Sequence, residues 1–251
     1  MKKILFAAMA LGMCMTSCMN DEFPNAVQYG YINLNVSNDP TLQTRADVNV
    51  EDLSKWVIET QQGTEGERKP WSKETAYTAG KYTVYAYSRF EGNSWQTANN
   101  NYGAAYYEGC TEEPVNVQAG MTATANINCG TAQNAKLTVT ITDMPNAFGN
   151  IVVNAVRKTG ITLALDGSTH KEAFFEAEEE VSYSINYTYN GASKEITNQT
   201  IKMAGRATDN IITIKANENG LISVKITYDD SFGEGESEDF TFDAATGEIQ
   251  Q

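Results

Sequence analysis

The chain has 251 residues, with 18 basic and 32 acidic side chains and a formal net charge of −14. That balance excludes nucleic-acid binding, which needs a basic footprint, and a polybasic grip on anionic lipid. The length suits one large or, preferably, two medium domains with buried cores.

The first predicted element is an export signal. Lys2 and Lys3 form a charged start, Ile4 to Met15 an apolar run too short to cross a bilayer, and Thr16-Ser17 a small polar approach to Cys18. Met15-Thr16-Ser17-Cys18 resembles the bacterial lipobox, in which a signal peptidase cuts before a cysteine thioether-linked to diacylglycerol. The departure is Met15, where Leu is commoner. Cys14 competes poorly, because bulky Met13 precedes it; the plainer alternative is a secretory signal with an incidental cysteine. Residues 1–17 hold two of the basic residues and none of the acidic ones, so their removal leaves a net charge of −16. Attachment to a membrane then falls to acyl chains, at about 0.8 kcal/mol per buried methylene.

Residues 18–28 read as a tether. Tyr31 to Val36 alternates strictly, with Ile32, Leu34 and Val36 on one face, as a half-buried strand does. Ser37 to Pro40 ends it, and a polar loop from Thr41 to Asn49 contains Arg45 and Ala46. Val50 to Leu53 suits one helical turn. Strands follow at Lys55 to Thr60 and Lys81 to Tyr87, then an Asn-rich loop from Phe90 to Gly103. Glu112 to Gln118 and Met121 to Cys129 read as a hairpin about Ala119-Gly120. In a two-residue-loop register Cys110 faces Cys129, which allows a disulfide in an oxidising compartment; two separate buried thiols are the alternative.

The polar break from Gly130 to Asn134 sets the predicted boundary between residues 29–130 and residues 131–251. Beyond it, Leu137 to Ile141, Ile151 to Val156 and Ile161 to Leu165 are strand-sized. Val181 to Tyr189 runs into Asn190-Gly191, the strongest short hairpin signal, since both residues tolerate positive φ. Asn210 to Lys215 and Leu221 to Tyr228 form another hairpin, and Phe240 to Phe242 a last strand. Turn signals every eight to twelve residues or so, without a helical period, predict an all-β chain of two tandem antiparallel β-sandwich domains.

Several motifs carry a resemblance along nearly the whole chain. They are the lipobox followed by Asp21-Glu22, the Tyr29 to Val36 strand, Thr44-Arg45-Ala46, Ala79 to Val84 and Tyr106-Tyr107-Glu108-Gly109. Together they resemble a Bacteroidales-type family of surface lipoproteins of unknown function, itself similar to fimbrillins, with transthyretin-like sandwiches. The resemblance implies that Asp21 and Glu22 act as a surface-export signal, placing the chain on the extracellular side of the outer membrane. It also implies a mechanism. In fimbrillins a trypsin-like protease cuts after an Arg in the loop behind the first strand, and the vacated groove takes a strand from the next subunit. Arg45-Ala46 stands in that place; the plain reading of Arg45 is a solvated loop residue.

Catalytic chemistry has little to work with. His170 is the sole histidine, lies in a turn, and accompanies no Gly-x-Ser-x-Gly elbow, so a non-enzyme is expected. No cofactor or metal is expected; the acidic run Asp229 to Asp239 does not match an EF-hand loop. For a small ligand, the best stretch is Trp95, Asn99, Asn100, Asn101 and Tyr102, whose rings and amides suit glycan binding; the alternative is that these rings pack into the core. The leading expectation is a non-catalytic surface lipoprotein acting in adhesion or as a fimbrial component, partnered by other subunits. A glycan-binding lipoprotein comes second and a carbohydrate-active enzyme third.

Overall fold

The computed structural model describes residues 28–37, 53–90, 94–230, 233–234 and 238–250. Apart from one short 3-10 turn at Leu53–Lys55, the regular structure among them is β-strand. Part of the expected turn at Val50 to Leu53 lies outside the described residues. The first half contains β1 (Tyr29–Ser37), β2 (Trp56–Gln62), β3 (Arg68–Pro70), β4 (Tyr77–Thr78), β5 (Gly80–Ser88), β6 (Glu108–Cys110), β7 (Val115–Val117) and β8 (Thr122–Asn128). One sheet runs β4-β1-β8. The other runs β3-β2-β5-β6, with β7 also on β5. They share a core of Ile32, Trp56, Ile58, Tyr82, Val84, Ile127 and neighbours, produced by period-two alternation on each strand.

The second half contains β9 (Asn134–Thr142), β10 (Phe148–Val156), β11 (Thr162–Leu165), β12 (Glu172–Glu176), β13 (Glu180–Tyr189), β14 (Ala192–Lys202), β15 (Asp209–Ala216), β16 (Leu221–Asp230), β17 (Gly233–Glu234) and β18 (Glu238–Asp243). Its sheets are β11-β10-β13-β14 and β12-β9-β15-β16, the latter extended by β17 and β18 on β16. Leu137, Val153, Phe175, Ile185, Ile212, Val224 and Phe242 lie in the core between them. Asn190 (φ 51°) and Gly191 (φ 78°) close the β13–β14 hairpin with Tyr189 opposite Ala192, as the two-residue loop requires.

The fold is the expected all-β one of mainly antiparallel sheets, with two parallel pairs, β1 with β8 and β9 with β15. One expectation is corrected. The proposed hairpin about Ala119-Gly120 does not form a ladder, because β7 pairs with β5 in one sheet while β8 pairs with β1 in the other. The turn from Gln118 to Met121 carries the chain across the sandwich. Its carbonyls instead surround Gly30, where a Cβ would overlap Gln118 O and lie 2.7 Å from Met121 O, so the strand needs glycine there.

Candidate functional site

The N-terminal sandwich is organised about β1. Its face alternates as the sequence requires: Ile32 is 1% exposed, Leu34 and Val36 pack against the same core, and Tyr31, Asn33 and Asn35 face solvent. Seven residues, Tyr31 to Ser37, lie in parallel register with Thr122 to Asn128. Asn35 Nδ2–H donates to Asn126 Oδ1 at 2.9 Å, which locks that register from outside. On the opposite edge β1 meets β4 only at Tyr29 and Gly30, and Trp71 Nε1–H donates to Ile32 O at 3.1 Å.

β1 is therefore the ladder partner that both β4 and β8 share. Take it away and this sheet ceases to exist, leaving the backbone of β8 unpaired and Ala125 and Ile127 beside an empty apolar channel. Another extended segment with small or branched apolar residues at alternate positions would satisfy both needs. Cys18, Asp21, Glu22, Arg45 and Ala46 lie outside the described residues.

The Asn-rich loop packs its rings against the second sandwich. Asn99, Asn100 and Asn101 have φ of 50°, 54° and 74°, a run of left-handed residues that asparagine tolerates better than most. Asn99 Nδ2–H donates to Gly103 O, and the tight turn projects the loop onto the second sandwich. There Arg157, 3% exposed, donates from Nη1 to Gln96 O at 2.6 Å and from Nη2 to Phe174 O at 2.7 Å. Its guanidinium carbon lies 5.7 Å from the Trp95 ring centre and 5.6 Å from that of Phe175. Burial lowers the Arg157 pKa from its ordinary value, and nearby Glu179 opposes that shift.

Tyr102 is held in the same way. Its O–H donates to Ala164 O at 2.8 Å, its carbonyl accepts Phe174 N–H, and its ring stacks on His170 at 4.4 Å with planes 10° apart. The His170 turn is fixed by Asp166, whose carboxylate accepts the Ser168 and His170 N–H groups and is thereby held below its usual pKa. Trp95 and Tyr102 thus contact the second half of the chain, and the loop acts as a clasp. Asn134 reinforces it, donating to Ala104 O and accepting Tyr106 N–H. Arg157 was missed from sequence; the signal was a lone arginine ending an apolar alternating strand.

The two cysteines are free thiols, Cys110 exposed and Cys129 buried. The expected cross-ladder disulfide is corrected for the reason that corrected the hairpin. Cys110 lies opposite Tyr85 on the outer face of the β5–β6 pair, whereas Cys129 Sγ points inward to Ala86 O at 3.9 Å. Burial above all, with Cys110 and Glu108 adding, pushes the Cys129 thiol up to about 12. Among the described residues no group of three or more His, Cys, Asp or Glu side chains is placed to hold a metal ion.

A family model described as a domain of unknown function, DUF4493, matches residues 28–244. None of the curated protein sequences matches. Among solved structures, the tip fimbrial protein Mfa3 from Porphyromonas gingivalis is 11% identical, with 70% of this chain and 93% of that chain covered at a TM-score of 0.38. A fimbrial protein from Bacteroides ovatus is 10% identical at a TM-score of 0.31, covering 75% of this chain, which spans about half (49%) of that one. The pilus adhesin SpaC from Lactobacillus rhamnosus GG is 10% identical, with 81% and 27% covered and a TM-score of 0.26.

Proposed function

We propose, from the premise that this chain belongs to the DUF4493 family, that it is a non-catalytic, lipid-anchored surface protein that acts in adhesion or as a fimbrial component. The observation that carries the reading is β1: the first strand among the described residues, parallel to β8, which supplies Ile32 to the core and is the shared ladder partner of two other strands. In this reading Cys18 carries the acyl chains and Asp21-Glu22 directs the anchored chain to the extracellular side of the outer membrane. A cut between Arg45 and Ala46 frees β1 together with the anchor. The channel beside β8 then receives an extended strand from a neighbouring subunit, which restores the backbone pairing and refills the Ile32 site.

The anchor and its location are tested in cells. An alkyne-labelled fatty acid should mark the wild-type protein and not Cys18→Ala, and protease added to intact cells should remove the wild-type protein. Unlabelled wild-type protein, or a chain that survives until the cells are lysed, would contradict the proposed anchor or its orientation respectively.

A further inference from the structure

The solvent face of the β11-β10-β13-β14 sheet carries a cavity with a volume of 580 Å³. That size lies in the range of small-ligand sites. Its lining includes Asn154, Thr162, Ser182, Ser184, Asn198 and Thr200, and none of its lining residues is charged. In a chain with a net charge of −14 such a neutral surface is unexpected. The register explains its continuity. Thr162, Val156, Ser182 and Thr200 form one row across four strands, and Ala164, Asn154 and Ser184 form the next. Charged side chains return beyond these rows, with Glu180 opposite Lys202 on one side and Glu195 opposite Asn186 on the other.

Four of the lining polar side chains are uncommitted, while Ser184, Asn198 and Gln199 bond only to close neighbours on their own strands. Asn154, Thr162, Ser182 and Thr200 have no side-chain hydrogen-bond partner among the described residues. Asn198 enters the site from an irregularity in the β13–β14 ladder, where the register shifts between Tyr183 and Ile185 and its own φ is 59°. Bulges of this kind re-aim a side chain.

The outer face of the N-terminal sandwich differs, because its polar atoms are already engaged. There the Tyr85 O–H donates to Gln61, Arg68 lies 3.7 Å over the Tyr85 ring centre, and the Tyr106 O–H donates to Glu108.

We infer that the β10–β13–β14 face binds an uncharged glycan. Carboxamides and hydroxyls each donate and accept, which matches sugar hydroxyls, while the partly exposed Val156 offers an apolar patch to sugar C–H groups. The lack of charge avoids desolvating an ion against a ligand that cannot pair with it. The inference does not depend on strand exchange, and it places ligand binding on the domain opposite β1.

The test uses the full-length protein on immobilised xylan, mannan and mixed-linkage β-glucan, with hyaluronan and polygalacturonate as acidic counterparts. Expected is binding to at least one neutral polysaccharide, equal at 0.05 and 0.5 M salt and weakened about thirtyfold by Asn154→Ala with Ser182→Ala, as the loss of two hydrogen bonds implies. Tyr85→Ala should leave it unchanged, and thermal melts should confirm that each variant is folded. Binding to no neutral polysaccharide, binding only to acidic ones, or binding lost in Tyr85→Ala but kept in the double variant would overturn the assignment. So would a dimer in sedimentation that Ser184→Lys abolishes, since the face would then be covered by a second copy.

Discussion

Replacing Ile32 by alanine tests whether β1 is part of the N-terminal core or merely laid against it. The side chain is 1% exposed and packs in the cluster that contains Trp56 and Ile127, so truncation leaves a cavity as well as losing transfer free energy. The expected cost is about 2–4 kcal/mol, against less than ~0.5 kcal/mol for Asn33→Ala on the solvent face of the same strand. Trp56, buried in the same core, gives a fluorescence signal for urea unfolding of this half. With a slope of about 1–3 kcal/mol per molar urea, the midpoint should fall by roughly 1–2 M. Equal midpoints for the Ile32 and Asn33 variants would refute the account of β1 as a core strand.

The same numbers bear on release. Full burial of Ile32 and partial burial of Leu34 and Val36 together contribute about 3–6 kcal/mol. The seven-residue ladder with β8 adds to that, so displacing β1 needs an incoming strand of comparable fit.

Three further outcomes are expected. Arg157→Met removes the donors to Gln96 O and Phe174 O and should lower stability by about 1–3 kcal/mol, with proteolysis at residues 94–103 accelerated; unchanged cleavage there would remove the clasp. In the reduced protein, maleimide should modify Cys110 within minutes and Cys129 only on unfolding, read by intact mass; equal rates would contradict the burial of Cys129. Burial first, then Glu238 and Tyr228, pushes Tyr183 up to about 12. The unfolded chain releases that proton near the ordinary value of about 10, so this contribution is complete below pH 10 and lost progressively toward about 12. Tyr183→Phe should flatten the alkaline stability profile over that interval, and an unaltered profile would count against the assignment.

What the sequence disclosed follows distance along the chain. Alternation at Tyr31 to Val36, Lys81 to Tyr87 and Leu137 to Ile141 reports which face is buried, and each is a strand with that face in a core. Asn190-Gly191 fixes its own hairpin because the required φ values are local. Pairing across long separations leaves no such mark: Asn35 meets Asn126, and no feature of either segment states that they run parallel. The Cys110–Cys129 register failed for that reason, since β1 and β5 each took one arm of the supposed hairpin.

β12 was overlooked because only Ala173 and Phe175 of its five residues are buried, between glutamates. The Trp95 loop displayed aromatic and amide groups whose partner, Arg157, lies just past the end of β10 in the other sandwich. The 580 Å³ face was invisible for a related reason, because its serines and asparagines occupy the ordinary outward positions of four separate strands.

The central claim is that β1 is exchangeable, and the N-terminal residue of assembled protein on the cell surface tests it most directly. Mass spectrometry of high-molecular-weight surface material should find chains that begin at Ala46, with the segment carrying Cys18 and Tyr29 to Ser37 absent. Surface chains that all begin at the acylated Cys18, with Tyr29 to Ser37 still attached, would contradict strand exchange and leave β1 a permanent member of its sheet.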